Sequence, residues 1–211
     1  MSTHEESSDP AQVPASDLVI DQAKAQLRRV YRRARHELPA PQRQQESAQA
    51  CQTLQRLIGR LGATALASYA ALGGELDLEA LHRWWWGQGR TLLLPRALAG
   101  GILRWHAVGS AEELEIGRFG IRQPRADAPE GLPGAALVLV PGVAFSRDGQ
   151  RLGQGGGYYD RALRGHQGIS VGIGFSCQEC AQIPHAAHDR AMGMVVLAGR
   201  LWEAGQEGAP G

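Results

Sequence analysis

Residues 138–163 read VLVPGVAFSRDGQRLGQGGGYYDRAL and carry the strongest structural signal in the chain. An apolar run over 137–140 predicts a buried strand, which Pro141 and Gly142 end. Four glycines then fall within 153–157, and the residues after them have the pattern of a helix start. A strand, glycine loop and helix can hold phosphate, because glycines let backbone N–H groups converge and a helix N-terminus adds partial positive charge.

The glycine loop matches neither of the common phosphate-binding motifs. No lysine follows the glycines, which excludes the Walker motif, and Tyr158 stands where the dinucleotide motif G-x-G-x-x-G needs its third glycine. A surface loop without a ligand is the alternative interpretation. Charged and aromatic residues beside the glycines favour a ligand site, namely Arg151, Tyr158, Tyr159, Asp160 and Arg161.

The composition indicates a single α/β domain and excludes several classes of function. A chain of 211 residues can bury one sizeable core, and its net charge of +1 gives no overall attraction to nucleic acid or membranes. No apolar run has the length of a membrane span, and no signal-peptide pattern begins the chain. Three cysteines suit a reducing compartment. We therefore expect a soluble, cytoplasmic protein that binds neither nucleic acid nor membrane.

Hydrophobic periodicity predicts the limits of the folded domain. Residues 1–16 are polar and acidic, so we expect a disordered tail, and 203–211 form a second tail. The domain between them, 17–202, alternates helices and strands. The first expected helix runs from 17 to about 38, the second ends at about 61 and the third begins at about 78. The expected strands are 63–70, 91–94, 102–108, 137–140, 169–175 and 192–197. This order predicts three layers, with a mainly parallel sheet, helices on both faces and a ligand crevice at the carboxyl ends of the strands.

The first predicted helix is strongly basic. Lys24 and Arg28 are four residues apart, so they point in the same direction and could together bind one polyphosphate. A solvated surface is the more common reason for such a run, and we assign the remaining arginines to the surface: Arg29, Arg32, Arg33 and Arg35. An RNA-binding helix is a further alternative, but no aromatic interleaving or second basic stripe supports it.

The string VPGVAF…RLG-x-GGGYYDR resembles the core motif of the 5-formyltetrahydrofolate cyclo-ligase family, also called methenyltetrahydrofolate synthetases. Weaker similarity extends over about residues 20–200. The resemblance implies an ATP- and Mg²⁺-dependent ligase that cyclises 5-formyltetrahydrofolate to 5,10-methenyltetrahydrofolate in one-carbon folate metabolism and releases ADP and phosphate. It also implies a Rossmann-like fold, similar to the sugar-phosphate isomerase and CoA-transferase group. We further expect a monomer.

The same resemblance implies two binding regions. Its ATP-binding residues are Lys24, Ala25, Gln26, Leu27, Arg28, Arg151, Leu152, Gly153, Gln154, Gly155, Gly156, Gly157, Tyr158 and Tyr159. Its folate-binding residues are Ala70 and Glu75, the latter toward the pterin, with Gln154, Gly155, Gly156, Gly157 and Tyr158. From their positions, Asp160 at the end of the glycine loop and Asp189 before the last strand are expected to hold the Mg²⁺ that bridges the ATP phosphates. Magnesium takes one or two carboxylates and completes its shell with water and phosphate oxygens. The alternative is that Asp160 is a helix-start acid favoured by the dipole and Asp189 a turn residue.

No catalytic residue is predicted. In the implied reaction the formyl oxygen attacks the γ-phosphate and N10 closes on the activated carbon, so the substrate supplies both nucleophiles. The protein must only align the ligands and neutralise charge. Two positions depart from the family pattern: Gln123 replaces the glutamate of F-G-I-x-E-P and receives no role, and Ser146 replaces an aspartate.

Other interpretations are weaker. Cys177 and Cys180 with His185 and His188 could suggest zinc, but the spacings are short for a structural site, so we expect the cysteines to be small apolar fillers. Trp105 is expected to fill the core rather than contact folate. One rival function is a sugar-phosphate isomerase or acyl-CoA transferase, which would need a catalytic acid at a strand end and no ATP. The other is a non-catalytic nucleotide-binding module that docks RNA.

Overall fold

A computed structural model describes residues 15–117, 120–134, 136–186 and 189–204. Its helices are α1 (Ala15–Glu37), α2 (Ala40–Leu61), α3 (Glu79–Trp86) and α4 (Tyr158–Ala162). Its strands are β1 (Leu66–Ala67), β2 (Leu92–Ala97), β3 (Leu103–Val108), β4 (Leu114–Ile116), β5 (Arg122–Pro124), β6 (Leu137–Pro141), β7 (Ala144–Phe145), β8 (Arg151–Leu152), β9 (Ser170–Gly174), β10 (Met194–Leu197) and β11 (Arg200–Glu203).

Seven of these strands form one sheet in the order β11-β10-β9-β6-β1-β2-β3. The inner strands are parallel, with Leu66 opposite both Leu92 and Leu137, and Val138 opposite Ser170. The edge strands β3 and β11 are antiparallel to their neighbours. β6 and β9 are buried almost throughout, which explains their uninterrupted small and apolar sequences. The predicted α/β domain with a mainly parallel sheet is confirmed.

The strand order reverses at β1. The chain adds β2 and β3 on one side of β1, then crosses to β6 on the other side and continues to β9 and β10. In open α/β sheets such a reversal leaves a crevice at the carboxyl ends of the two diverging strands. Tyr69 and Ala70, just after β1, and Pro141 and Gly142, at the end of β6, all line the cavity described below.

Two apolar clusters cover the faces of the sheet. On one face, α2 and α3 contribute buried residues such as Leu54 and Trp85. On the other face, Leu163 at the end of α4 and Met192 pack against the strands. Helix α1 packs elsewhere: its Leu27 and Tyr31 contact a small cluster formed by Val143, Ala144, Leu152, Cys180 and Ile183. This packing holds α1 beside the cavity.

Several boundaries differ from the sequence-based expectations. α1 begins at Ala15, two residues before the predicted start, and β1 is only two residues long. β2 continues through Pro95. Proline has no N–H, but an N–H at this position would point toward β1, and the pairing of β2 with β1 has already ended there, so the sheet loses no hydrogen bond. Strand β11 was not expected and reaches Glu203, one residue into the predicted tail. It follows a two-residue turn, Ala198–Gly199, that lacks the usual Asn-Gly or Asp-Gly signal.

Candidate active site

A cavity of about 900 Å³ lies at the carboxyl ends of the parallel strands. Its volume is near the upper end of the range of about 300–1,000 Å³ usual for small-molecule pockets. Most of the predicted site residues line it together: Lys24, Arg28, Ala70, Glu75, Asp160, Asp189 and every residue from Arg151 to Tyr159. The fold thus brings the basic helix, the glycine loop and the segment after β1 to one place.

Three residues predicted to bind ATP lie away from the cavity. Lys24 and Arg28 are one helical turn apart on the cavity side of α1, so the residues between them face other directions. Ala25 and Gln26 are exposed, and Leu27 packs in the small apolar cluster next to α1. Of the segment predicted to bind ATP, only its two ends therefore line the cavity.

The glycine loop needs glycine at particular positions. Gly155 and Gly157 have φ angles of 104° and 63°, in the left-handed region that side chains rarely adopt. At Gly156 the constraint is steric instead, because an added Cβ would lie 2.9 Å from the Tyr158 ring. Within the described residues, the N–H groups of 154–157 donate to no acceptor. The loop therefore presents several unpaired donors, as an anion site requires.

The helix after the loop contributes less than predicted. α4 contains five residues, too few to build a macrodipole of the usual size. The loop N–H groups and the cations beside them are therefore the main groups that could bind an anion. Arg28 reaches the loop directly, since its Nε donates to the Gly153 carbonyl over 2.9 Å.

Each of the two predicted metal ligands is paired with a cation. Asp189 forms an ion pair with the buried Lys24 and accepts the Ala186 N–H over 2.7 Å. Asp160 accepts a hydrogen bond of 2.7 Å from Arg151, whose side chain is 4% exposed. Both carboxylates thus lie on the cavity wall with their charge balanced.

The donor set at this wall fits magnesium. Two carboxylates provide hard oxygen ligands, and Mg²⁺ usually takes its remaining ligands from water and phosphate. Within the described residues, no group of three or more His, Cys, Asp or Glu side chains could hold a metal alone. A metal bound by Asp160 and Asp189 would therefore depend on oxygens from a phosphate ligand.

A carboxyl group and two tyrosines form another part of the cavity wall. The Leu72 N–H donates to Oε2 of the half-buried Glu75 over 3.0 Å, and desolvation raises the pKa of this carboxyl. Burial also raises the pKa of the nearby Tyr69 and Tyr159 phenols. The Tyr69 hydroxyl donates to the Leu76 carbonyl over 2.9 Å, which fixes the ring. A flat, partly polar ligand could bind here through one carboxyl group and aromatic surface.

Several cavity residues were not among the predicted site residues: Pro95, Ala97, Leu103, Ile121, Arg122, Gln123, Arg161 and Arg164. Gln123 is the most informative, because it is 7% exposed and lies on the cavity wall although it received no predicted role. Its place in the F-G-I-x-E-P motif was a signal that could have identified it. Ile121, Arg122 and Arg161 also belong to quoted motifs. Pro95, Ala97, Leu103 and Arg164 carry no local pattern, so only the tertiary structure reveals them.

The surroundings of Trp105 and the cysteines indicate a structural role. Trp105 is 4% exposed and packs edge-on to Tyr159 with ring centroids 6.2 Å apart, which confirms the predicted core position. The Cys180 thiol donates to the Gln182 carbonyl. Burial raises the pKa of the Cys177 thiol, which favours the neutral thiol over a metal-binding thiolate. His188, the last residue of the zinc interpretation, lies outside the described residues.

Comparison with known proteins separates the remaining interpretations. A sequence profile of the 5-formyltetrahydrofolate cyclo-ligase family matches residues 20–198. The chain belongs to this family. The family consists of ATP-dependent ligases, so the protein is an enzyme, as predicted.

Relatives from distant organisms match the folded domain. The 5-formyltetrahydrofolate cyclo-ligase of Escherichia coli K12 is 31% identical over 179 residues, which are 82% of this chain and 98% of that protein. The mouse protein of the same name is 29% identical over 138 residues, which are 59% of this chain and 68% of the mouse protein. The structure of Aquifex aeolicus 5,10-methenyltetrahydrofolate synthetase has 29% identity and a TM-score of 0.77, and the match covers 89% of this chain and 96% of that one. The family fold is therefore present nearly in full.

Proposed function

We propose that the protein catalyses the ATP- and Mg²⁺-dependent cyclisation of 5-formyltetrahydrofolate to 5,10-methenyltetrahydrofolate, with release of ADP and phosphate, in one-carbon folate metabolism. One observation carries the proposal. A single cavity joins the glycine loop, Lys24 and Arg28 to the half-buried Glu75 and its tyrosines. Transfer of a phosphoryl group between two bound substrates requires such a continuous site, because the reacting atoms must be held within about 3–3.5 Å of each other.

The proposed reaction takes both nucleophiles from the folate. The formyl oxygen attacks the γ-phosphorus, and the bond from phosphorus to ADP breaks. N10 then adds to the activated formyl carbon and loses its proton, and phosphate departs with the former formyl oxygen. The carbon remains bonded to N5 and N10 as the methenyl bridge, so no covalent bond to the protein forms.

The protein's part in this reaction is electrostatic. Lys24 and Arg28 would neutralise phosphate charge, and the unpaired N–H groups of 154–157 would bind phosphate oxygens. Each charge-assisted hydrogen bond of this kind contributes about 1.5–3 kcal/mol. Asp160 and Asp189 would hold Mg²⁺, which supplies further neutralisation of the phosphates when bound.

Glu75 would orient the folate. A carboxylate can accept hydrogen bonds from the amino and amide N–H groups of a pterin, and the partly buried position makes such bonds stronger than in water. Tyr69 and Tyr159 would enclose the flat ring. Orientation of the pterin fixes the formyl group relative to the phosphate end of the cavity.

We place this activity in the cytoplasm and expect a monomer. Cys51, Cys177 and Cys180 are free thiols, as is usual in a reducing compartment. No helix in the described part of the chain combines the length and apolar character needed to cross a membrane.

A direct assay tests the proposal. Purified protein is mixed with 5-formyltetrahydrofolate, ATP and Mg²⁺, and the near-ultraviolet absorbance of the methenyl product is followed. We expect one ADP and one phosphate per methenyl group, and no product when ATP or the metal is omitted. ATP hydrolysis without folate conversion, or no reaction at all, would contradict the proposal and favour a non-catalytic nucleotide-binding module.

A further inference from the structure

The carbonyl groups of the glycine loop are held by arginines. Arg28 donates to the Gly153 carbonyl, as described above. Arg32, on the next turn of α1, donates through Nη2 to the Gln154 carbonyl over 3.0 Å. The same guanidinium also binds the Gln154 side-chain oxygen through Nε over 3.1 Å and through Nη2 over 2.8 Å. One arginine therefore forms hydrogen bonds to both the backbone and the side chain of Gln154.

Arg161 holds the loop from the other side. Its Nη2 donates to the Gly156 carbonyl over 2.6 Å and to the Gly101 carbonyl over 2.7 Å. Gly101 lies in the connection between β2 and β3, so Arg161 ties the loop to that connection. The fit depends on glycine, because an added Cβ would lie 2.3 Å from the guanidinium at Gly101 and 2.7 Å from it at Gly157.

These contacts leave the loop with the polarity that an anion needs. A carbonyl oxygen carries partial negative charge and would repel phosphate, but three of the loop carbonyls face guanidinium groups. In a planar trans peptide the N–H of the next residue points opposite to the carbonyl, so binding the carbonyl also fixes the direction of that N–H. The N–H groups fixed in this way belong to Gln154, Gly155 and Gly157, and none has an acceptor within the described residues.

We propose that Arg32 and Arg161 are positioning residues for the phosphate site, which act by binding the carbonyls of Gln154 and Gly156. The inference rests on the proposed function, since it takes the loop to be the ATP phosphate site. Arg32 is exposed and sequence patterns assign it to the surface, so its contact with the loop is the deciding observation. Neither residue touches the reacting atoms in this proposal, because each acts on ATP through the loop.

The test uses Arg32→Gln and Arg161→Gln in the full-length protein. Each is expected to raise the KM for ATP, and the calorimetric Kd for ATP without folate, about three- to tenfold. The KM for 5-formyltetrahydrofolate should rise less than the KM for ATP, because the folate is also expected to bind Ala70 and Glu75, which lie outside the loop. Arg32→Lys and Arg161→Lys should recover part of the loss, since lysine keeps the charge but not the planar donor geometry.

Arg33→Gln is the matched control. Arg33 is the neighbouring arginine on the same helix, its side chain is 81% exposed, and it pairs with Glu37 instead of the loop. The Arg33→Gln variant should leave both KM values and the Kd for ATP unchanged. If Arg32→Gln and Arg161→Gln bind ATP as tightly as wild type, the inference is wrong although the cyclo-ligase activity stands. An equal rise in both KM values would also overturn it, since the two arginines would then not act specifically on the phosphate site. A wild-type protein that does not convert the folate points instead to failure of the proposed function.

Discussion

Lys24 and Asp189, which are 165 residues apart in the sequence, form an ion pair on the wall of the cavity. One partner is the lysine predicted to bind ATP phosphate and the other is a predicted magnesium ligand. Binding of Mg²⁺ and ATP would therefore exchange one ion pair for two new contacts, lysine with phosphate and aspartate with metal. This exchange would couple the binding of the nucleotide to that of the metal.

Lys24→Ala and Arg28→Ala should each weaken ATP binding by about 1.5–3 kcal/mol, because each removes a charge-assisted phosphate contact. Isothermal titration calorimetry measures this change. Arg29→Ala is the control, since Arg29 is an exposed arginine of the same helix that does not line the cavity. Unchanged ATP affinity in both variants, with the control also unchanged, would show that α1 takes no part in nucleotide binding.

Asp160→Asn and Asp189→Asn should raise the Mg²⁺ concentration needed for half-maximal rate and lower kcat strongly. Each substitution also leaves a buried cation, Arg151 or Lys24, without its carboxylate. We therefore expect a loss of about 1–3 kcal/mol of stability in each case. Titrations of the rate with Mg²⁺ separate the two effects, because loss of stability alone does not change the metal requirement.

Asp127→Asn is the control for the metal prediction, since Asp127 is exposed and lies away from the cavity. If both site variants titrate with Mg²⁺ like wild type and like this control, the metal is bound elsewhere.

Gly156→Val should abolish turnover. The added Cβ would lie 2.9 Å from the Tyr158 ring, so the loop or the ring must move, and the branched side chain would block the approach of a ligand. Gly157→Ala should also be impaired, because its φ is positive and its Cβ would meet Arg161. Gly59→Val serves as the control, since nothing lies within 4 Å of a Cβ at Gly59. Wild-type kcat and KM in Gly156→Val would mean that the loop does not bind phosphate.

Glu75→Gln should raise the KM for 5-formyltetrahydrofolate about tenfold or more and leave the KM for ATP nearly unchanged, because it weakens hydrogen bonds to the pterin alone. The variant should also change how stability depends on pH. The folded protein holds the Glu75 proton more tightly than the unfolded chain does. That stabilising contribution is complete below the ordinary pKa of 4.5 and is lost as the pH rises through the raised pKa.

The stability of Glu75→Gln relative to wild type should therefore be greater at neutral pH than at pH 4. Urea denaturation at the two pH values measures the difference. An equal difference at both pH values would show that Glu75 is not desolvated in the folded protein.

His82 should make the protein less stable in mild acid. Its ring lies 2.8 Å from the Ser68 hydroxyl, and burial lowers its pKa from 6.5 to about 4. Below pH 6.5 the unfolded chain binds a proton that the folded protein excludes, so the free energy of unfolding falls as the pH decreases toward 4. The total loss from this group is about 3 kcal/mol. His82→Gln should remove this component of the pH dependence, as measured by urea denaturation from pH 4 to 8; an identical slope in wild type and variant would contradict it.

Local sequence patterns predicted the main elements and the core of the site. The apolar runs of β6 and β9 identify buried strands because both faces of a central parallel strand are covered. The glycine loop was recognisable because positive φ angles and close approach require glycine at fixed positions. Lys24 and Arg28 could be paired because helical geometry alone places them on the same side.

Other features depend on contacts between distant segments. The turn at Ala198–Gly199 carries no strong hairpin signal, so strand β11 forms only because β10 offers an edge for pairing. Gln123 reaches the cavity because β5 packs beside β2, which no periodicity in its own short segment indicates.

The two adjacent arginines of α1 show where the limit lies. Arg33 pairs with Glu37 four residues later, a local interaction that helical spacing predicts. Arg32 instead binds Gln154, 122 residues away. The sequence determined that both arginines lie on an exposed helix surface, since that follows from the period of the helix. Only the tertiary structure decided which of them meets the glycine loop, because the position of one element against another is set by the packing of the whole core.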